Sequence, residues 1–152
     1  MQRAVARNSL LLLLLTGSGH LAWQPAQVWQ ADLQVRILEV TKSKTSINAR
    51  VVIYTENDDE ARQARLLFLL PLGVGIERLG IGCAATPGPS NVPALRGAVV
   101  CDLGAIPDHG YREVAITTTI PTDGVPKRFA VFVYSATPDP VPANNYAERI
   151  VP

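Results

Sequence analysis

Ile47-Asn48-Ala49-Arg50-Val51-Val52-Ile53-Tyr54 puts an aliphatic side chain at every odd position and mostly polar or amphipathic ones between them. A period of two is the period of a strand whose alternate side chains enter a core, and no helical face repeats that way. The same alternation recurs on both sides. Leu33, Val35 and Ile37 alternate with Gln34 and Arg36 until the parity slips at Leu38 and Val40, the mark of a bulge or a change of sheet. Val114, Ile116, Thr118 and Ile120 form another set, and Phe129, Val131 and Val133 a further one, backed by Ala130, Phe132 and Tyr134. Shorter apolar runs occupy Val74 to Leu79, Val99 to Leu103 and Tyr146 to Val151.

Turn chemistry separates these runs: Glu56-Asn57-Asp58-Asp59, Pro107-Asp108-His109-Gly110, Pro121-Thr122-Asp123-Gly124 and the Pro-rich Thr137 to Asn145. Short strands at this spacing predict an all-β sandwich. One segment dissents. Asp58 to Leu70 has acids at its start, helix formers at Arg62, Gln63 and Arg65, and Pro71 as a stop. Arg65 to Leu70 is nonetheless read as a strand, because the run is short and a central strand buried on both faces accounts for its leucines. Ala84 to Gly97, with Pro87, Pro89 and Pro93, reads as a loop.

The chain has 152 residues with 47% hydrophobic and 18% charged side chains, enough to bury one core and too short for a multidomain enzyme. A formal charge of +1 without a recurrent Lys/Arg face excludes a nucleic-acid footprint. Residues 1–31 read as a signal peptide and short tail, and 32–152 as the folded domain. Arg3 and Arg7 precede the leucine block Leu10 to Leu15, which meets Thr16 to His20 well before the length of about 20 apolar residues that a membrane span needs. Cleavage is expected between Gly19 and Ala31. The expected location is secreted or periplasmic, with no membrane span in the mature form. In an oxidising compartment Cys83 and Cys101 are expected to pair, the alternative being two buried thiols.

The order of short motifs resembles the bacterial conserved-repeat immunoglobulin-like domain of surface and secreted proteins, related to the CARDB-like cell-adhesion-related domains. The matching stretches are Ala31-Asp32-Leu33, Val52 to Asn57, Leu70-Pro71-Leu72-Gly73, Gly82-Cys83 with Val100 to Ile106, and Asp139-Pro140-Val141-Pro142-Ala143-Asn144-Asn145 followed by Tyr146-Ala147. The resemblance covers Ala31 to Val151. It implies an immunoglobulin-like β-sandwich of seven or eight antiparallel strands with Cys83 and Cys101 bridged, acting as an adhesive or structural module. The family's usual tandem arrays are absent, as is its glycine-rich approach to the second strand, where Lys42-Ser43-Lys44-Thr45-Ser46 stands instead.

No residue set reads as catalytic. His109 is a turn histidine beside Asp108, and adjacent turn residues do not converge as a nucleophile, base and orienter must. Gly73, Gly75, Gly80 and Gly82 lack the spacing of a phosphate loop. One histidine and two cysteines after the leader cannot close a zinc site, and no cofactor is expected. Asn57, Asp58, Asp59 and Glu60 offer hard oxygens for Ca²⁺, but six to eight are needed, so a solvated turn is the preferred reading. Binding is expected on the loops, at Pro87, Pro89, Asn91 and Pro93 and at Asp139, Asn144 and Asn145, toward a protein or cell-surface component. Self-association through an exposed strand edge is the alternative. A carbohydrate module is the weaker one, and it requires Tyr54, Tyr111 and Tyr134 on one face. Trp23 and Trp29 either anchor a partner or sugar, or cover the sandwich end.

Overall fold

The computed structural model describes residues 28–56, 59–71, 73–87, 97–120 and 123–152, so the leader and Trp23 lie outside the described residues. Its strands are β1 (Leu33–Lys42), β2 (Ser46–Thr55), β3 (Ala61–Leu69), β4 (Ile76–Arg78), β5 (Cys83–Pro87), β6 (Gly97–Ile106), β7 (Tyr111–Thr119), β8 (Lys127–Tyr134) and β9 (Tyr146–Val151), with one 3₁₀ turn at Pro142–Asn144. They form a four-stranded sheet in the order β1-β2-β7-β4 and a five-stranded sheet in the order β5-β6-β3-β8-β9. Every pairing is antiparallel. This is the immunoglobulin-like arrangement, with a hairpin added beside the third strand as in variable-type domains. The chain departs from that order in two respects: β4 reaches the far edge of the smaller sheet before the added hairpin is made, and the hairpin's edge strand β5 precedes β6, the strand beside β3.

The alternation read from the sequence is what fills the sandwich. Leu33, Val35, Ile47, Ala49, Val51, Ile53, Val114 and Ile116 enter from the four-stranded sheet, and Leu66, Phe68, Val99, Phe129, Val131 and Val133 from the five-stranded one, all buried in a single cluster. The parity slip at Leu38 is a bulge, since the β1–β2 register shifts between Ile37 and Glu39. Over the described part, residues 59–70, the helical alternative for Asp58 to Leu70 does not occur. Burial of Leu66 and Phe68 on one face and half-burial of Leu67 and Leu69 on the other outweigh the weak helix preference of Arg62 to Arg65.

Two expectations need correction. Among the described residues there are nine strands rather than seven or eight, and the additional pairing lies partly in the stretch read as a loop, because Cys83–Pro87 pairs with Gly97–Cys101. The physical reason is the disulfide. Cys83 and Cys101 sit directly opposite in the β5–β6 ladder and are bonded, so a short Ala-Ala-Thr-Pro segment with little strand preference of its own is fastened to the sheet. At the head of this hairpin Gly82 has φ of 76°, and a Cβ there would lie 2.7 Å from the Asp102 carbonyl oxygen, so only glycine fits.

Lys127 opens β8 with its side chain only 10% exposed, and its Nζ donates to Asp123 Oδ2 at 2.6 Å. That hydrogen bond, helped by the Val125 N–H, holds the Asp123 carboxyl below its ordinary value. A lowered folded pKa contributes stability that is present above the unfolded carboxyl value of about 3.9 and is lost as pH falls through the folded value. Asp123→Asn is therefore expected to flatten the acid limb of a melting-temperature series while lowering stability at neutral pH, where Lys127 loses its counter-charge. Differential scanning calorimetry between pH 2 and 7 checks this.

Candidate functional site

The two outer faces of the sandwich differ in chemistry. On the four-stranded sheet, Arg50 Nε and Nη2 donate to Glu113 Oε1 at 2.9 and 2.6 Å, and Glu39 lies 3.5 Å from Arg50 Nη1. Beside this cluster Tyr54 Oη donates to Gln34 Oε1, with the Arg36 guanidinium 5.1 Å from the Tyr54 ring centre. Such exposed pairs hold the face in water and contribute little to stability.

The five-stranded sheet presents the opposite character. Cross-strand register aligns Ala84, Val100, Leu67, Phe132 and Tyr146 into one row across all five strands. The next row holds Ala98, Leu69 and Ala130 at its centre, flanked by Thr86 and Glu148. Phe132 is 37% exposed and stacks on Tyr134 with ring centres 6.1 Å apart. Tyr146 Oη donates to Glu148 Oε2 at 2.6 Å, which together with partial burial raises the phenol pKa. Past the row, Arg65 pairs across strands with both Asp102 and Tyr134, and at the other end Arg128 lies 3.6 Å from Glu148. At about 4.8 Å per strand and about 7 Å between rows, the eight apolar positions span roughly 260 Å², the two alanines of the second row lying buried between their larger neighbours.

The loop residues singled out from sequence have mixed placements. Asp139 Oδ2 accepts the Leu33 N–H, Asp139 Oδ1 accepts the Val141 N–H, and Asn144 Nδ2 donates to Asp32 Oδ1 at 2.7 Å. With the Ala31 N–H on the Pro138 carbonyl, this loop clamps the start of β1. Asn145 is buried, and its carbonyl accepts the Val133 N–H. The Oδ1 atoms of Asn144 and Asn145 are buried and meet no hydrogen-bond partner among the described residues. Pro87 ends β5, while Pro89, Asn91 and Pro93 lie outside the described residues.

The tyrosines do not share a face. Tyr54 and Tyr111 pair on the four-stranded sheet and Tyr134 belongs to the five-stranded one, so the aromatic platform that a carbohydrate module would need there is not assembled. His109 is exposed with φ of 49°, its Nε2 lying 3.3 Å from Asp108 Oδ1. Among the acidic-turn residues, Asp59 Oδ2 accepts the Gln30 N–H and Glu60 lies 3.5 Å from Arg62, while Asn57 and Asp58 lie outside the described residues. Among the described residues no group of three or more His, Cys, Asp or Glu side chains is placed to hold a metal ion, and no helix is long and apolar enough to cross a membrane.

Fold and surface together define a disulfide-stapled, all-β sandwich module with one polar and one apolar outer face. No family model and no curated protein matches the chain. Among solved structures, it is similar to BslA, a bacterial hydrophobin, with a TM-score of 0.43 and 14% identity over 82% of this chain and 93% of that one. It is also similar to part of a GH20 exo-β-N-acetylglucosaminidase from Vibrio harveyi in complex with N-acetylglucosamine, with a TM-score of 0.33 and 12% identity over 80% of this chain and 17% of that one.

Proposed function

We propose that this protein is an exported, non-catalytic structural subunit, of the conserved-repeat immunoglobulin-like kind, that associates with copies of itself through the outer face of its five-stranded sheet. The observation that carries this reading is the register aligning Ala84, Val100, Leu67, Phe132 and Tyr146 on a face whose counterpart on the other sheet is charged. Each end of the strip carries a cation and an anion, Arg65 with Asp102 and Arg128 with Glu148, so two copies stack without a net like-charge penalty. The leader pattern and the Cys83–Cys101 bond support an extracytoplasmic location.

The strand edges favour this face over edge pairing. β4 has three residues, β1 is bulged at Leu38, β5 ends at Pro87, and β9 carries Glu148 and Arg149. These are the devices that discourage a strand from adding to an edge. A strip of roughly 260 Å² is well below the 800 Å² or so per partner of a stable interface, so association is weak and reversible. Its strength grows with local concentration and with the number of copies engaged.

Sedimentation equilibrium of the mature chain from micromolar to millimolar concentration tests the reading. The expected result is a mass that rises with concentration, and a strict monomer for Leu67→Lys combined with Phe132→Glu at unchanged far-UV circular dichroism. A monomeric wild type throughout, or a variant that assembles as the wild type does, overturns it; the second outcome points to edge pairing.

A further inference from the structure

Beyond the apolar row, at the end of the five-stranded sheet, the β3–β6 ladder is opened by a bulge. The register shifts on both sides of Ala64, Gln63 adopts φ of 51°, and Gly104 directly opposite Ala64 has φ of 66°. A non-glycine residue held in the left-handed region costs about 1–3 kcal/mol, and such positions concentrate at binding sites. The opened ladder leaves a depression of about 550 Å³ lined by Arg62, Gln63, Arg65, Asp102, Gly104 and Ala105. A second depression of about 290 Å³ adjoins it, shares Arg62 and Glu60's side of the strand, and is walled by Trp29 and Thr137.

The parts of this site are fixed in place. The Arg62 N–H donates to Thr137 Oγ1 and the Arg62 carbonyl accepts the Ala136 N–H, while Thr137 Oγ1 donates to the Glu60 carbonyl. Trp29 precedes Gln30 and Ala31, whose N–H groups are bonded to Asp59 and Pro138; the residue is 57% exposed, and the Arg62 guanidinium lies 5.5 Å from its ring centre. Arg65 forms no ion pair with a described residue. A Cβ on Gly104 would meet nothing within 4 Å, so the backbone there borders open space.

We infer that this paired depression binds an acidic saccharide, with a sugar ring against the exposed part of Trp29 and a carboxylate on the guanidinium fork of Arg65, Arg62 being already engaged by Glu60 and by the Trp29 ring. Indole surfaces offer a flat apolar platform with low ordering cost, and arginine engages carboxylates with two parallel hydrogen bonds. Gln63, Glu60 and Asp102 supply the planar polar groups that hydroxyls need at the rim. An acidic peptide fits less well, because β3 and β6 are interior strands and have no free edge on which a peptide backbone could pair.

The test is calorimetric titration of the exported chain at low salt with polygalacturonate, dextran and polyglutamate, after an intact-mass measurement of the exported form. The expected result is that Trp29 is retained, that polygalacturonate alone binds saturably, and that Arg65→Ala and Gly104→Asn each weaken binding by about tenfold or more. Asn tolerates the left-handed backbone better than other side chains and would occupy the depression, so Gly104→Asn is expected to fold with a modestly lowered melting temperature while blocking the ligand. Arg65→Lys keeps the charge, loses the fork and is expected to bind like Arg65→Ala. Loss of Trp29 on export, no binding of polygalacturonate, equal binding of polyglutamate, or unchanged affinity of Gly104→Asn overturns the inference. Arg65 also closes one end of the self-association strip, so Gly104→Asn, which alters neither the apolar row nor its charged ends, is the variant that separates this site from that surface.

Discussion

Truncating Phe68 to alanine is expected to lower the unfolding free energy by about 3–5 kcal/mol, against a total of about 5–15 kcal/mol for a domain of this kind. Phe68 is 1% exposed on β3, the middle strand of the five-stranded sheet, and its register partners Val99 and Val131 are themselves buried. Neighbours on both sides are fixed in ladders and cannot collapse into the space the ring leaves, which places the cost at the upper end of the range. The adjacent Leu67 is the internal control. Its side chain points to the outer face, so Leu67→Ala is expected to cost only about 1 kcal/mol in the dispersed protein. Urea unfolding of both variants with an unchanged denaturant slope checks the pair.

Replacing Cys83 and Cys101 together by alanine is expected to cost about 3 kcal/mol, the chain-entropy value for a loop of roughly this length. The bridge spans 18 positions of sequence, and alanine keeps the fully buried Cys101 site apolar. The loss has a location as well as a size. β5 pairs only with β6, so without the bond this edge strand is the first part of the sheet to open. Hydrogen exchange of Ala84 to Thr86 in the reduced or substituted protein should accelerate well ahead of the β3 and β8 amides, and a melt in reductant should show the same drop as the double substitution.

The strands that carry strict alternation were legible from residues alone, because Ile47 to Tyr54 and Phe129 to Tyr134 bury one parity whatever they pair with. The short leucine run Leu66 to Leu70 was legible for a related reason: apolar side chains at both parities need cover on both faces. Ala61 to Ala64 was not, since helix-forming residues conceal a bulge whose existence depends on Gly104 across the ladder, 40 positions on in the chain. β5 was hidden too, as Ala84, Ala85 and Thr86 have no strong strand preference and are held by a covalent bond.

The site residues divide in the same way. Asp139, Asn144 and Asn145 announce a turn, but their inward role rests on contacts to Leu33 and Asp32 across 106 and 112 positions. The apolar row is the clearest case. Each strand contributes an unremarkable outward residue, and only the register brings Val100, Leu67, Phe132 and Tyr146 side by side.

Site-directed thiol cross-linking reads that surface directly. With a short bis-maleimide at roughly millimolar protein, Phe132→Cys is expected to give covalent dimers, while Arg149→Cys on the β9 edge and Arg50→Cys on the four-stranded face stay monomeric. Efficient linking from Arg149→Cys or Arg50→Cys with none from Phe132→Cys would contradict the account.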